Sequence, residues 1–215
     1  PPLTISPPAN KPGIEVIMFS STLMVFHLVV SSSGILCWII GFGEIGKGLF
    51  EVYKQNNIIA KIFDPYLNLE DDLNGVEILN VCIPYSQNFV SIVQNYIDTI
   101  KPRYTVIHST VSPGTTKQIN GKVCHSPVRG LHPNLDMGIK TFLKFIGSED
   151  NSVAKEYQNH LDSLGIKSHI CKNSLTSEYS KILDTTYYGL CISFHNEVNQ
   201  ICNDLDIPFD EVMSL

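Results

Sequence analysis

Three glycines, at positions 41, 43 and 46, have a spacing that can hold a phosphate group. In "WIIGFGEIGKGL" they follow a short apolar run and precede a segment with helical character. A tight turn between a strand and a helix presents unpaired backbone N–H groups and the positive end of the helix dipole. Gly41 permits the turn, Gly43 lets a pyrophosphate approach the backbone, and Gly46 lets the helix pack on the sheet. The pattern therefore predicts a dinucleotide cradle.

An acidic residue completes this pattern. Asp64 lies 23 positions after Gly41, at the end of the next predicted strand. A carboxylate there bonds the ribose hydroxyls and repels a 2′-phosphate, so the predicted cofactor is NAD rather than NADP. We expect Glu44 and Ile45, which open the helix, to contact the cofactor as well. Glycines are common in turns, so a structural turn or another nucleotide-like ligand is the alternative interpretation.

Two further predicted strands end in residues that suit the same crevice. "LNVCIP" ends at Pro84, and "YTVIHSTVSPGTT" places Ser109 and Thr110 just past a strand. Ligands of doubly wound sheets bind at the carboxyl ends of the strands, so these residues are candidates for ligand contacts. Ser, Thr, Pro and Gly also populate ordinary loops, which is the competing interpretation.

A long helix, predicted over residues 176–204, carries polar residues on one face. Lys181 is a candidate for a catalytic role, although a lone helical lysine is more often solvated. His195 is interpreted as a packed or surface residue rather than an acid or base. The residues with helical spacing on this face are Glu178, Lys181, Thr185, Tyr188, Ile192 and His195.

These motifs are joined by short apolar runs that alternate with helix-like segments. The alternation predicts an α/β fold, a Rossmann-type doubly wound parallel sheet built from βαβ units. Ser174 or Thr176 is expected to cap the long helix, with Glu178 in its first turn. We predict strands near 35–40, 58–63, 78–83, 104–108, 142–146 and 166–170, and helices near 44–55, 87–100, 150–163 and 176–204.

The sequence divides into three predicted parts: a leader of uncertain structure at 1–33, an NAD-binding domain at 34–172, and the start of a helical, dimerising domain at 173–215. "PFDEVMSL" indicates the first turn of a further helix, so we expect this last domain to be cut short. The apolar run at 16–33 is long enough to suggest a membrane span. Serines, Thr22 and His27 interrupt it, and no Lys or Arg flanks it closely, which favours buried or poorly ordered sequence over an anchor or signal segment.

Composition excludes some classes of partner. A formal net charge of -6, with no run of Lys or Arg, argues against nucleic acid. The six cysteines form no C-x-x-C pair and no Cys/His ligand spacing, so neither a disulfide framework nor a metal site is predicted. We expect reduced thiols in a cytoplasmic protein.

Taken in order, several segments resemble one enzyme family. They are "GFGEIG", "FDP", "CIP", "HSTVSPGTT", "SP" at 126–127 and "SEYSKILDTTYYGLCISFHNE". The chain resembles the UDP-glucose/GDP-mannose dehydrogenases, within the wider 6-phosphogluconate and 3-hydroxyisobutyrate dehydrogenase superfamily, over about residues 34–215. The resemblance implies NAD-dependent oxidation of an alcohol on a sugar nucleotide or a similar substrate. It also implies a homodimer formed through helix 176–204.

The resemblance assigns roles to individual residues. Lys181 matches the helix lysine that contacts the substrate and stabilises charge at the reacting oxygen, and Thr110 is the second catalytic candidate. Thr185 stands where the family has a substrate-binding Asn. The residues that the resemblance places along the cofactor are Gly41, Gly43, Glu44, Ile45, Gly46, Asp64, Pro84 and Ser109.

The sequence also departs from the family pattern. Pro127-Val128 replaces the usual Pro-Glu, and no counterpart of the nucleophilic Cys precedes Leu215. Cys191 and Cys202 lie on the predicted helix and are not candidates for that role. These departures predict a divergent subfamily, and we expect little turnover from this chain alone. Two rival hypotheses are a nucleotide-binding module without catalysis and a membrane-anchored protein with a Rossmann domain.

Overall fold

The computed structural model describes residues 35–72, 75–130 and 135–214. The predicted leader at 1–33, with its candidate membrane segment, lies outside the described residues. The strands are β1 (Cys37–Ile40), β2 (Ala60–Asp64), β3 (Leu69–Glu70), β4 (Ile78–Val81), β5 (Tyr104–Ile107), β6 (Val123–His125), β7 (Lys144–Ile146) and β8 (Ser168–Ile170). The helices are α1 (Glu44–Gln55), α2 (Phe89–Ile100), α3 (Leu135–Thr141), α4 (Asn151–Ser163), α5 (Ser174–Asp204) and α6 (Phe209–Met213).

The larger sheet has six strands in the order β3-β2-β1-β4-β5-β6. All neighbours pair in parallel except β3, which runs antiparallel to β2 at the edge. The chain moves from β1 to β2 on one side and then to β4 on the other, so the strand order reverses between β1 and β4. This arrangement confirms the predicted α/β fold, and it opens a crevice at the carboxyl ends of those two strands.

Helices cover both faces of this sheet, and successive residues of β1 point into two different cores. Cys37 and Ile39 pack with apolar residues of α1, α3 and α4. Trp38 and Ile40 pack with α2, including Phe89. A parallel sheet buried on both faces is built from continuous apolar strands, which is why "CWII" shows no polar alternation.

The predicted strands at 142–146 and 166–170 exist, but the expectation that they extend the parallel sheet is wrong. β7 and β8 pair in parallel with each other as a separate two-stranded sheet. The link to β6 is a single antiparallel bridge, in which His125 and Gly147 exchange backbone hydrogen bonds of 2.7 and 2.9 Å. Because β7 meets β6 in the opposite direction, it cannot continue the parallel ladder.

The long helix begins earlier than predicted, and its cap is different. Asn173 is the N-cap residue, and its side-chain oxygen accepts a hydrogen bond from the backbone N–H of Thr176 at 3.0 Å. Ser174 is buried inside the first turn, where its hydroxyl donates to Glu149. α5 therefore spans 31 residues. α6 confirms the helix predicted after Pro208.

Candidate active site

Two of the three motif glycines are required by the fold itself. Gly41 follows β1 with a φ of +87°, in the left-handed region that favours glycine, and its N–H donates to the Phe63 carbonyl at 3.0 Å. A Cβ on Gly46 would overlap the Gly41 carbonyl oxygen. The turn and the first turn of α1 can therefore meet only if both residues lack a side chain.

Gly43 is different, because no contact within the described protein explains it. Its backbone is extended, with φ −72° and ψ −160°, a conformation open to any residue. A Cβ built there would meet no heavy atom within 4 Å. Gly43 is also the N-cap of α1, and it has no side chain that could accept from the N–H groups of the first helical turn. Open space beside a helix N-terminus fits an anionic ligand.

Asp64 is fixed next to this turn. Its Oδ2 accepts a hydrogen bond from the backbone N–H of Phe42 at 2.7 Å, and its Oδ1 accepts from Tyr66 N–H at 3.1 Å. Each carboxylate oxygen has a second lone pair, so the half-buried side chain can still accept from a ribose hydroxyl. Glu44 is exposed and Ile45 half-buried at the start of α1.

The ends of β4 and β5 continue the same edge of the sheet. Pro84 and Thr110 are exposed, whereas Ser109 is buried and its hydroxyl donates to the Ile83 carbonyl at 2.6 Å. Since the strand order is β2-β1-β4-β5, Asp64, the glycine turn, Pro84 and Ser109 follow one another along this edge. A dinucleotide in the crevice would thus have its two halves over different strands.

Lys181 is half-buried on α5. Burial lowers the pKa of its ammonium group; the charge of Arg129 lowers it further, and Asp184 opposes the shift. Arg129 donates to Asp184 at 2.7 Å, and its guanidinium lies over the Phe142 ring, 5.2 Å from the ring centre. Arg129 was not predicted from the sequence; its position just after the "SP" motif was the available signal. These charged groups connect the segment after β6 with α5.

The remaining residues of the predicted polar face do not form a cluster with Lys181. Thr185 is exposed, and its hydroxyl donates back to the Lys181 carbonyl at 3.0 Å. His195 is exposed, with Nδ1 2.6 Å from the Cys191 carbonyl oxygen, in agreement with its interpretation as a surface histidine. Glu178 does not lie on an open polar face: it is fully buried and accepts from the backbone N–H groups of Gly114 and Thr116. The face is therefore divided between the protein interior and the surface.

A buried lysine, which the sequence did not indicate, lies beneath the segment after β6. Lys144 is 3% exposed and donates to the carbonyl oxygens of Ser126 and Pro127 at 2.9 and 3.1 Å. Burial lowers the pKa of its ammonium group to about 7. In "LKFIG" Lys144 alternates with apolar residues, as a solvent-facing residue of a strand would. The sequence alone therefore did not indicate that it is buried.

Titration of Lys144 predicts a rise in stability with pH. Its folded pKa is depressed, so from about pH 7 upward the unfolded chain holds one more proton than the folded chain, and the free energy of unfolding rises by up to about 1.4 kcal/mol per pH unit. Burial raises the pKa of Cys82 to about 12, and burial also raises that of Cys124, so both cysteines oppose the trend above roughly pH 8.5. Urea denaturation between pH 7 and 8.5 should show this rise in the wild type and a smaller slope in Lys144→Met. Equal slopes in the two proteins would contradict the assignment.

The described residues contain neither a metal-binding cluster nor a helix suited to cross a membrane. Within residues 35–72, 75–130 and 135–214, no group of three or more His, Cys, Asp or Glu side chains is arranged to hold a metal ion. In the same described part of the chain, no helix combines the length and apolarity that a membrane crossing needs.

Several solved structures with this fold are dehydrogenases or imine reductases, although no family model and no curated protein matches the sequence. The UDP-D-ManNAc dehydrogenase of Pyrococcus horikoshii superposes with a TM-score of 0.70 at 14% identity, over 84% of this chain and 57% of its own. The 3-hydroxyisobutyrate dehydrogenase of Mycobacterium tuberculosis gives 0.65 at 12% identity, over 81% and 67%. A variant imine reductase of Myxococcus stipitatus, solved with NAD+, gives 0.60 at 15% identity, over 84% and 69%. The chain thus spans little more than half the length of the first of these proteins, and the likeness establishes the fold.

Proposed function

We propose that the chain is the cofactor-binding part of an NAD-dependent dehydrogenase that oxidises an alcohol on a sugar nucleotide or a related hydroxy substrate. The observation that carries this proposal is Gly43, a glycine that the described protein does not need for its own packing or backbone conformation. A pyrophosphate seated at the N-terminus of α1 does need it, because a side chain would occupy the space of the phosphate oxygens.

The residues along the sheet edge fit NAD in one orientation. Asp64, at the end of β2, suits the hydroxyls of the adenine ribose, and the turn beside α1 suits the pyrophosphate. The nicotinamide half then lies toward β4 and β5, where Pro84, Ser109 and Thr110 are found. Bound NAD supplies the hydride acceptor for oxidation of the substrate.

Lys181 is the residue that we assign to the reacting oxygen. As hydride leaves an alcohol, negative charge develops on that oxygen, and a positioned ammonium stabilises it more in the transition state than in the ground state. Partial burial strengthens this interaction because the local dielectric is lower than that of water. Thr110 is proposed as a hydroxyl donor on the same side, and Thr185 as a substrate contact.

The proposed reaction is tested by following NADH formation with UDP-sugars, GDP-sugars and simple hydroxy acids as separate substrate sets, in the longest reading frame that contains this chain. Val128 replaces the family glutamate and Thr185 its asparagine, so the set that reacts shows which branch of the superfamily this site follows. NADH formation with at least one set is expected. NAD binding without any turnover would favour the non-catalytic module instead.

We also propose that the protein is a cytoplasmic homodimer joined through α5. Leu183, Tyr187, Leu190 and Phe194 are 61 to 69% exposed, an apolar surface that the described part of the chain leaves uncovered. All six cysteines are free thiols, which suits a reducing compartment.

Dimerisation predicts a specific mutational response. Light scattering of the wild type over a range of concentrations should give the mass of a dimer, and Leu190→Asp should shift it to a monomer, because a carboxylate in an apolar interface loses its hydration. Ile92→Asp, which alters an exposed apolar residue of α2, is the matched control and should remain dimeric. A wild-type monomer at every concentration would refute the proposed interface.

A further inference from the structure

The first two turns of α5 are bonded to the cofactor side of the sheet by a buried carboxylate. Glu178 is 0% exposed, and each of its two oxygens accepts one backbone hydrogen bond, from Gly114 and from Thr116, the latter at 2.8 Å. No Lys or Arg among the described residues pairs with it. Two backbone N–H groups therefore stabilise this buried carboxylate, through charge-assisted bonds that are stronger than neutral ones.

The loop that donates hydrogen bonds to Glu178 is the one proposed to face the nicotinamide. The backbone N–H groups of Gly114 and Thr116 belong to the segment that leaves β5 through Ser109 and Thr110. Gly114 has a φ of +86°, so the loop takes the tight path that points these N–H groups at the carboxylate. Lys181 lies one helical turn after Glu178 on α5.

A buried histidine makes a second connection between α5 and the loop after β5. His125 places Nε2 3.2 Å from the Ser109 carbonyl oxygen and Nδ1 2.8 Å from the Ser177 hydroxyl. A carbonyl can only accept, so Nε2 carries the hydrogen. Burial lowers the pKa of His125 to about 4, so the ring is neutral at pH 7 and Nδ1 is an acceptor. The Ser177 hydroxyl has one hydrogen, which it can donate to Nδ1 at 2.8 Å or to the Ser174 carbonyl oxygen at 2.9 Å. The helix residue next to Glu178 is thus connected to Ser109 itself.

We infer that Glu178 is a positioning residue for the nicotinamide side of the cofactor site. Its carboxylate holds the 109–116 loop against α5. Because Lys181 is on the same helix, the position of the loop relative to Lys181 is then fixed. Ser177 and His125 support the same placement from the other side of the loop. The inference rests on the proposed function, because it takes NAD as the ligand of the crevice.

The test compares NADH with ADP in the 215-residue chain, because ADP carries only the adenosine and phosphates that the glycine turn and Asp64 are proposed to hold. In Glu178→Gln the amide NH₂ faces one of the two backbone donors, so one bond is lost and the loop shifts. Calorimetry should show NADH binding weakened about tenfold and ADP binding changed by less than about twofold. Glu197→Gln, the same substitution at an exposed site of the same helix, should leave both affinities unchanged.

The outcomes separate the inference from the proposed function. Equal losses for NADH and ADP in Glu178→Gln, or no loss for either, would overturn the positioning role. A wild-type chain that binds neither probe would instead overturn the proposed function. Ser177→Ala is the second variant, needed if Glu178→Gln fails to fold. It removes the hydroxyl that orients His125 and should produce the same selective loss of NADH affinity. A Ser177→Ala chain that shows no selective loss of NADH affinity would count equally against the inference.

Discussion

Replacing Lys181 with alanine in a catalytically complete form of the protein is expected to lower kcat by a factor of about 10² or more. Loss of one positioned electrostatic or acid–base group typically has an effect of this size. The affinity for NAD should be nearly unchanged, because the lysine is proposed to face the substrate and not the cofactor. Single-turnover measurements of hydride transfer, together with NADH titration, check both parts of the prediction.

Two controls sharpen the Lys181 experiment. Lys155→Ala removes an exposed lysine of α4 whose ammonium group donates to Gln158 of the same helix, and it should leave kcat unchanged. Lys181→Arg retains a positive charge but spreads it over a planar group of different shape, so partial activity is expected. A Lys181→Ala enzyme with normal kcat would show that this side chain is merely a half-buried surface lysine.

Replacing Gly43 with valine should weaken NADH binding by about 100-fold or more while the protein stays folded. The valine side chain would fill the space proposed for the pyrophosphate and remove at least one charge-assisted hydrogen bond of about 1.5–3 kcal/mol. Among the described residues, no atom lies within 4 Å of a Cβ built on Gly43, so thermal unfolding should shift by only a few degrees. Calorimetry and thermal denaturation of the same sample measure the two quantities.

Gly46→Ala is the matched comparison within the same motif. Its Cβ would overlap the Gly41 carbonyl oxygen, so α1 must move from the turn, and overpacking of this kind costs about 1–3 kcal/mol of stability. The two variants should therefore fail differently: Gly43→Val in binding, Gly46→Ala in folding. Unchanged NADH affinity in Gly43→Val would refute the cradle.

The features that could be predicted from the sequence are those with strong local causes. The apolar run "CWII", the glycine spacing and the acidic end of β2 each follow from one physical requirement, and together they predicted the sheet and the turn. Three elements were not predicted: β3, which has two residues, β6, which has three, and α3, which has seven and carries a glycine that weakens its helical pattern. A Cβ on Gly138 would overlap the backbone of Gly130 and Arg129, eight and nine residues earlier, a contact that neither helical nor strand periodicity reveals.

The environments of the polar residues in the candidate site also could not be predicted from local sequence. Glu178 has the spacing of a solvated helix face, yet it is buried because a loop 62 positions earlier offers two backbone donors. Lys144 and Arg129 likewise take their environments from segments distant in sequence. The predicted caps, Ser174 and Thr176, lie one and three residues after the observed N-cap Asn173, because all three are residue types that cap helices. Ser174 is buried in the first turn and donates to Glu149 instead.

The most direct measurement is calorimetric titration of the 215-residue chain with NADH and with NADPH under the same conditions. Asp64 is held beside the glycine turn by the N–H groups of Phe42 and Tyr66, so its carboxylate is placed to accept from the ribose hydroxyls and to repel a 2′-phosphate. We predict that NADH binds at least about tenfold more tightly than NADPH, equivalent to one hydrogen bond to a charged group. Equal or tighter binding of NADPH, or no binding of either, would contradict the proposed cofactor site.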